Sequence, residues 1–264
     1  MAKHDDSHAH SRRQFIKSLA FMAITYLPLS ILTYVRILPY APDFWEGIFS
    51  LLTHEPLIAI HFWLTLMIML FLTVGDFQNH AALLRHRSKR AWLAGEGAGV
   101  FAHCILFSLG YILVMLLINL IVLGLPAAID LQPEYWDALY VNFSLWFILG
   151  WALLLRIFSA LAFAGVFLFF YIKTKSRVVG TVVLSLYGMF SVLALYYGEF
   201  TGLVYHKYFL FPAGISHYFF LVGYGDTVAL ALLHNYLAAT VPSLLVTVVF
   251  IALLRTGIKK AEVM

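Results

Sequence analysis

A few polar side chains sit inside long apolar runs, and these are the residues whose types could do chemistry. His61, His103 and His234, with Asn235 beside the last, stand in or near such runs, and His206 and His217 follow in a shorter aromatic stretch. Histidines from neighbouring helices can ligate haem iron or another metal. None of these falls in an H-x-x-x-H arrangement within a run, so a polar contact between helices is the simpler use of each. Arg156 lies in another run, and no Asp or Glu lies in any other apolar run to pair with it. A charge at mid-membrane costs about 2.5–3.5 kcal/mol on insertion scales, so this cation must face protein or water, or snorkel to the inner boundary. Backbone carbonyls, Asn119, Asn142 or a substrate anion are its candidate partners.

The elements that must hold these residues follow from composition. The chain has 264 residues, 62% hydrophobic and 11% charged. Soluble domains carry about 25% charged residues, and no soluble fold of this length hides so much apolar surface. A membrane span needs about 20 apolar residues, roughly 30 Å at 1.5 Å per residue. Six segments meet or approach that length: Leu19–Leu38, Leu57–Val74, Val100–Leu123, Val141–Ile172, Val178–Tyr197 and Val228–Leu254. The fourth exceeds what a bilayer requires and must tilt, kink or protrude.

Charge sorts the connections. The gaps after the second, fourth and last runs carry Arg85, Arg87, Lys89 and Arg90, then Lys173, Lys175 and Arg177, then Arg255, Lys259 and Lys260. The gaps after the first and third carry only acids: Asp43, Glu46, Glu55, and Asp130, Glu134, Asp137. That is the positive-inside alternation. It predicts an all-α polytopic membrane protein with six transmembrane helices and both termini cytoplasmic. Residues 1–17 form a cytoplasmic tail that turns helical near Arg12, 18–254 the membrane domain, and 255–264 a second cytoplasmic tail. Residues 198–226 read as an outer re-entrant or interfacial hairpin before the last helix. A seventh crossing there would put Arg255, Lys259 and Lys260 outside, and Pro212, Gly214 and Gly223 suit a broken helix.

The same reading excludes other classes. A net charge of +4 borne on membrane-flanking segments points to lipid head groups rather than nucleic acid. The single cysteine, Cys104, permits no internal disulfide and no cysteine metal site. Ser11-Arg12-Arg13-Gln14-Phe15-Ile16-Lys17 resembles a twin-arginine export signal, but no small-residue cleavage site follows, so these cations serve to hold the first helix end inside. Trp45, Trp63, Trp136, Trp146 and Trp151 fall near expected span boundaries, as an interfacial aromatic belt does.

The connection between the second and third runs is the most structured polar segment. It carries Ala81-Ala82-Leu83-Leu84-Arg85, then Ser88-Lys89-Arg90, then Trp92-Leu93-Ala94-Gly95. Leu83, Leu84 and Arg87 fall at helical spacing, which predicts a short amphipathic helix on the inner membrane face, and Ser88 can cap a second helix from Lys89. This pattern resembles the loop between the second and third spans of ABC-2-type transporter permeases, with His80 and Arg87 where that family commonly has Gly and Pro. The exit from the last run, Leu253-Leu254-Arg255-Thr256-Gly257, is similar to that family's as well.

The resemblance implies a specific function. The segment 76–97 would be the coupling loop that docks on an ATPase, with Phe77, His80, Leu84, Arg85, Arg87 and Arg90 at the contact. The chain has no G-x-x-x-x-G-K-[ST] loop, so ATP would be bound by a separate partner subunit and the chain itself would hold no cofactor, metal or catalytic residue. Two permease copies with two ATPases would move an amphipathic or hydrophobic substrate (a peptide, lipid or drug-like compound) across the bacterial inner membrane. Arg156, His61, His103, His234 and Asn235 are the candidate polar residues of its path. Two alternatives come from other classes. Val222-Gly223-Tyr224-Gly225-Asp226 is similar to a potassium-channel filter, though Leu221 replaces the usual threonine. The membrane histidines would suit a haem-binding redox protein.

Overall fold

The computed structural model describes residues 5–37, 56–74, 89–124 and 145–201, with some helical positions between 244 and 256, and among these there is no strand. Helix α1 is Asp5–Ile37, α2 is Pro56–Thr73, α3 is Lys89–Leu123, α4 is Leu145–Thr174 and α5 is Arg177–Thr201. Arg12–Leu32, Gly97–Val122 and Arg156–Thr174 are long and apolar enough to cross a membrane, and Ile60–Thr73 and Arg177–Met189 are shorter apolar helical segments. Three such helices are the mark of a membrane protein. The outward faces agree. Val178, Val182, Leu186 and Met189 form one exposed stripe on α5, and Leu106, Leu109, Leu113 and Leu117 another on α3. Apolar faces this extended suit lipid and not water.

Two helix ends differ from the sequence expectation. α1 is helical from Asp5, seven residues before Arg12. No Gly or Pro interrupts the chain from Asp5 until Pro28. α5 continues past Tyr197 to Thr201, so residues 198–201 of the expected hairpin are the end of this helix; residues 202–226 lie outside the described residues. α3 begins at Lys89, directly after Ser88, and runs without a break to Leu123. The second helix expected in the connecting loop is therefore the third span's own extension.

The contacts fix how the helices run. Along α2, Trp63, Met67 and Val74 meet Gly188, Ser185 and Arg177 of α5 in turn, so these two are antiparallel. Phe15 and Tyr26 of α1 meet His103 and Tyr111 of α3, so these two are parallel. α3 runs against α2: Tyr111 meets His61, and Phe107, one turn earlier, meets Phe62. α4 turns directly into α5. Lys175 takes a left-handed φ of 58° and its N–H returns to Tyr171 O at 2.8 Å, while Ser176 Oγ accepts the Val179 N–H at 3.4 Å and caps α5. α2 touches all four other helices and sits at the centre.

One end of this bundle collects the cations. Arg12, Arg13 and Lys17 of α1, Lys173, Lys175 and Arg177 of the α4–α5 turn, and Lys89 and Arg90 at the start of α3 all belong to it. Within α1–α5, Arg156 is the one cation with a described side chain that lies elsewhere. Arg177 Nη1 donates to Val74 O at 3.2 Å, and its guanidinium lies 5.9 Å from the Phe71 ring centroid.

Lipid tails are as apolar as Leu, so close packing and polar contacts hold the helices together. Glycine sets the approach of α5 to its neighbours. A Cβ on Gly180 would come within 3.1 Å of Phe167 O, and one on Gly188 would fall on the Trp63 indole. That indole has its N–H buried with no hydrogen-bond partner among the described residues. Its position is set by packing against Gly188 and Phe163, not by its nitrogen.

Candidate functional site

Four helices turn polar groups toward one another inside the bundle. On α4, Arg156 shares the buried stripe of Ser159, Ala160, Phe163 and Phe167, and only 3% of it is exposed. On α3, Tyr111 belongs to the buried stripe of Cys104, Phe107, Ser108 and Met115. On α1, Tyr26 follows Phe15, Ser18 and Met22, with Thr25 at its side. On α2, His61 and Phe62 open the stripe that continues through Leu66, Met69 and Thr73. Helical periodicity brings these faces to the common core.

The aromatic rings form a corner around the cation. The Phe62 and Tyr111 rings lie 5.0 Å apart at 85°, and the Arg156 guanidinium sits over both, 5.3 and 5.4 Å from their centroids. Tyr26 packs edge-on against Tyr111 at 5.5 Å, and both phenols are within electrostatic reach of the guanidinium. A cation over an aromatic face gains about 2 kcal/mol or more when desolvated. Two such contacts offset the cost of about 2.5–3.5 kcal/mol for a membrane-buried charge.

A hydrogen-bond chain orients the corner. Thr25 Oγ1 reaches back to Phe21 O at 2.8 Å. The same oxygen lies 2.8 Å from His61 Nε2, and the ring's tautomer decides which of the two donates. His61 Nδ1 lies 3.1 Å from the Tyr111 hydroxyl, so the imidazole bridges α1 and α3 in either tautomer. Thr65 ties the base of this chain by donating to His61 O at 2.7 Å.

Depth follows from helix rise. Thr25 is 13 residues from Arg12, His61 is 13 from Val74 and Arg156 is 17 from Lys173. At 1.5 Å per residue these place the cluster about 20–25 Å from the basic end. The hydrocarbon core is about 30 Å thick, so Arg156 lies toward the end of α4 away from Lys173 and not at the boundary next to it.

The other sequence candidates go elsewhere. His103 stacks on Phe15 at 4.7 Å, eight residues nearer the basic end of α3 than Tyr111, and does not join the cluster. Asn119 is buried eight residues beyond Tyr111. Arg90 is the second residue of α3. Phe77, His80, Leu84, Arg85, Arg87, His234, Asn235, Asn142 and Val222–Asp226 lie outside the described residues. Both ring nitrogens of His61 are engaged within the protein, and among the described residues no group of three or more His, Cys, Asp and Glu could hold a metal ion. Thr25, Tyr26, Phe62 and Tyr111 were not among the sequence candidates. Their signal was the buried stripe each shares with its helix.

No family model, no curated protein and no solved structure matches this chain.

Proposed function

We propose that this chain is the membrane permease subunit of an ATP-driven exporter of the ABC-2 type, multi-pass in a bacterial inner membrane with both termini inside. It works as a pair, with two separate ATP-binding subunits. The observation that carries this reading is the gathering of the basic helix ends on one face, where the connection between α2 and α3 also emerges. A cation-rich face built on helix ends is a firm surface for a cytoplasmic partner to push on.

The long α3 gives that push a route inward. It is one helix from Lys89, in the proposed coupling segment, to Tyr111, in the buried cluster. The 22 residues between them span about 33 Å. Closure of the ATP-bearing partners against Phe77, His80, Leu84, Arg85, Arg87 and Arg90 would displace this rod and so move Tyr111 relative to His61 and Arg156. ATP is hydrolysed on the partner, and the permease supplies the path.

Replacing Arg85, Arg87 and Arg90 together by Glu tests the reading. The partner ATPase should co-purify with the native chain at equal stoichiometry, and substrate should stimulate its turnover. In the triple variant that stimulation is lost. Unchanged stimulation, or the absence of any ATPase from native-membrane preparations, would remove the proposal.

A further inference from the structure

Helix α1 departs from a plain helical ladder at three places close together: Thr25, Pro28 and Ser30. Pro28 has no N–H, so the Ile24 carbonyl loses its ladder partner, and the proline ring crowds that carbonyl. Thr25 Oγ1 reaches back to Phe21 O at 2.8 Å and to Met22 O at 3.2 Å. Ser30 Oγ donates to Leu27 O at 2.8 Å. Back-bonds of this kind bend helices. They are also what makes a proline tolerable where lipid offers no hydrogen-bond partner. Long helices pivot where a proline and such side chains interrupt the ladder, and not along its unbroken stretches.

The arm on the basic side of Pro28 is pinned at each turn. Phe15 stacks on His103, and Leu19 Cδ2 lies 3.0 Å from where a Cβ on Gly110 would stand. Met22 and Tyr26 follow, both fully buried, and Tyr26 packs edge-on against Tyr111. The pinning ends next to the proline: Thr25 meets His61 of α2 at 2.8 Å. Beyond it, residues 29–37 continue as helix for about 13 Å. Ser30 is buried one turn past Tyr26 on the same stripe, so this second arm closes over the aromatic corner on the side away from the cations.

We propose that Pro28, with Thr25 and Ser30 on either side of it, is a hinge, and that residues 29–37 are a lid that swings on it. The swing opens and closes the far end of the polar cluster of His61, Tyr111 and Arg156. The basic arm stays fixed on α2 and α3, so one helix bends and is not displaced as a whole. In the transport reading this lid gates the far side of the path. The hinge itself is a property of the chain alone and needs no ATPase.

Pairs of spin labels on the full chain in phosphatidylcholine nanodiscs test it, on a Cys104→Ala background. Leu32→Cys with Leu117→Cys reads the lid against α3, and Ile16→Cys with Leu106→Cys reads the fixed arm against the same helix; all four positions are exposed. The lid pair should give a distance distribution about twofold wider than the fixed pair, as a hinge motion requires. Pro28→Ala restores the N–H that meets the Ile24 carbonyl, and should narrow the lid pair to the width of the fixed pair. The native comparison uses no hinge variant, so it decides the matter whether or not Pro28→Ala folds. Equal widths in the native chain, or a lid pair that stays wide in a Pro28→Ala protein whose fixed pair is unchanged, would overturn the proposal. A wide lid pair in a chain that brings down no ATPase would remove the exporter reading and leave the hinge; a narrow one beside a bound ATPase would do the reverse.

Discussion

Two arginines about 25 Å apart in helical rise, one at each end of the α4–α5 hairpin's inner half, live under opposite rules. Arg177 opens α5 at the basic end, partly exposed, and donates to the carbonyl of Val74, just past the end of α2. That carbonyl sits at the negative end of a helix dipole, so the contact is both a charge-assisted hydrogen bond and a helix cap. Arg156 is buried with two aromatic faces for company. The first arginine has a structural task that its geometry completes. The second is held by the faces of the Phe62 and Tyr111 rings. The difference teaches that a cation's role in this bundle is decided by what it meets along its edge, and not by residue type.

The seam that Arg177 closes can be broken directly. Gly188→Leu would drive a side chain into the Trp63 indole at the α2–α5 contact. Overpacking of this kind costs about 3 kcal/mol, and the melting temperature in detergent should fall sharply. An unchanged melting temperature would mean that α2 and α5 are not packed as described.

A smaller effect separates the two cations. Arg177→Met should lower stability by about 1.5–3 kcal/mol, the worth of a hydrogen bond to a charged group. Arg156→Met should change it by less than about 1 kcal/mol, because the loss of two ring contacts is balanced by removing a buried charge. Paired thermal melts of the two variants check this. Equal losses would erase the distinction between an arginine held by a carbonyl and one held by ring faces.

Much of the helical framework was legible. The expected run Leu57–Val74 became Pro56–Thr73, and Val178 became Arg177 as the start of the fifth helix, because apolar length sets these elements. The start of α1 was hidden because a polar stretch carries no hydropathy signal, although Asp5 and Asp6 fit a helix N-terminus. Arg156 stood out as the lone charge in its run. Its neighbours did not, since Phe and Tyr are common here (23 and 15 residues) and only rotation about each helix axis picks which rings meet. His61 and His103 looked alike in sequence. One faces Thr25 and Tyr111 across three helices, and the other stacks on a single phenylalanine. That distinction belongs to tertiary packing.

The central claim is that the basic ends of these helices share the cytoplasmic face while the acidic connections lie outside. On a Cys104→Ala background, single cysteines at Lys175 and at Asp130 test it with a membrane-impermeant maleimide. In intact cells the Asp130→Cys protein should label, and the Lys175→Cys protein should label only after the membrane is opened. Labelling of Lys175→Cys in intact cells would contradict the topology, and with it the docking face proposed for the ATPase.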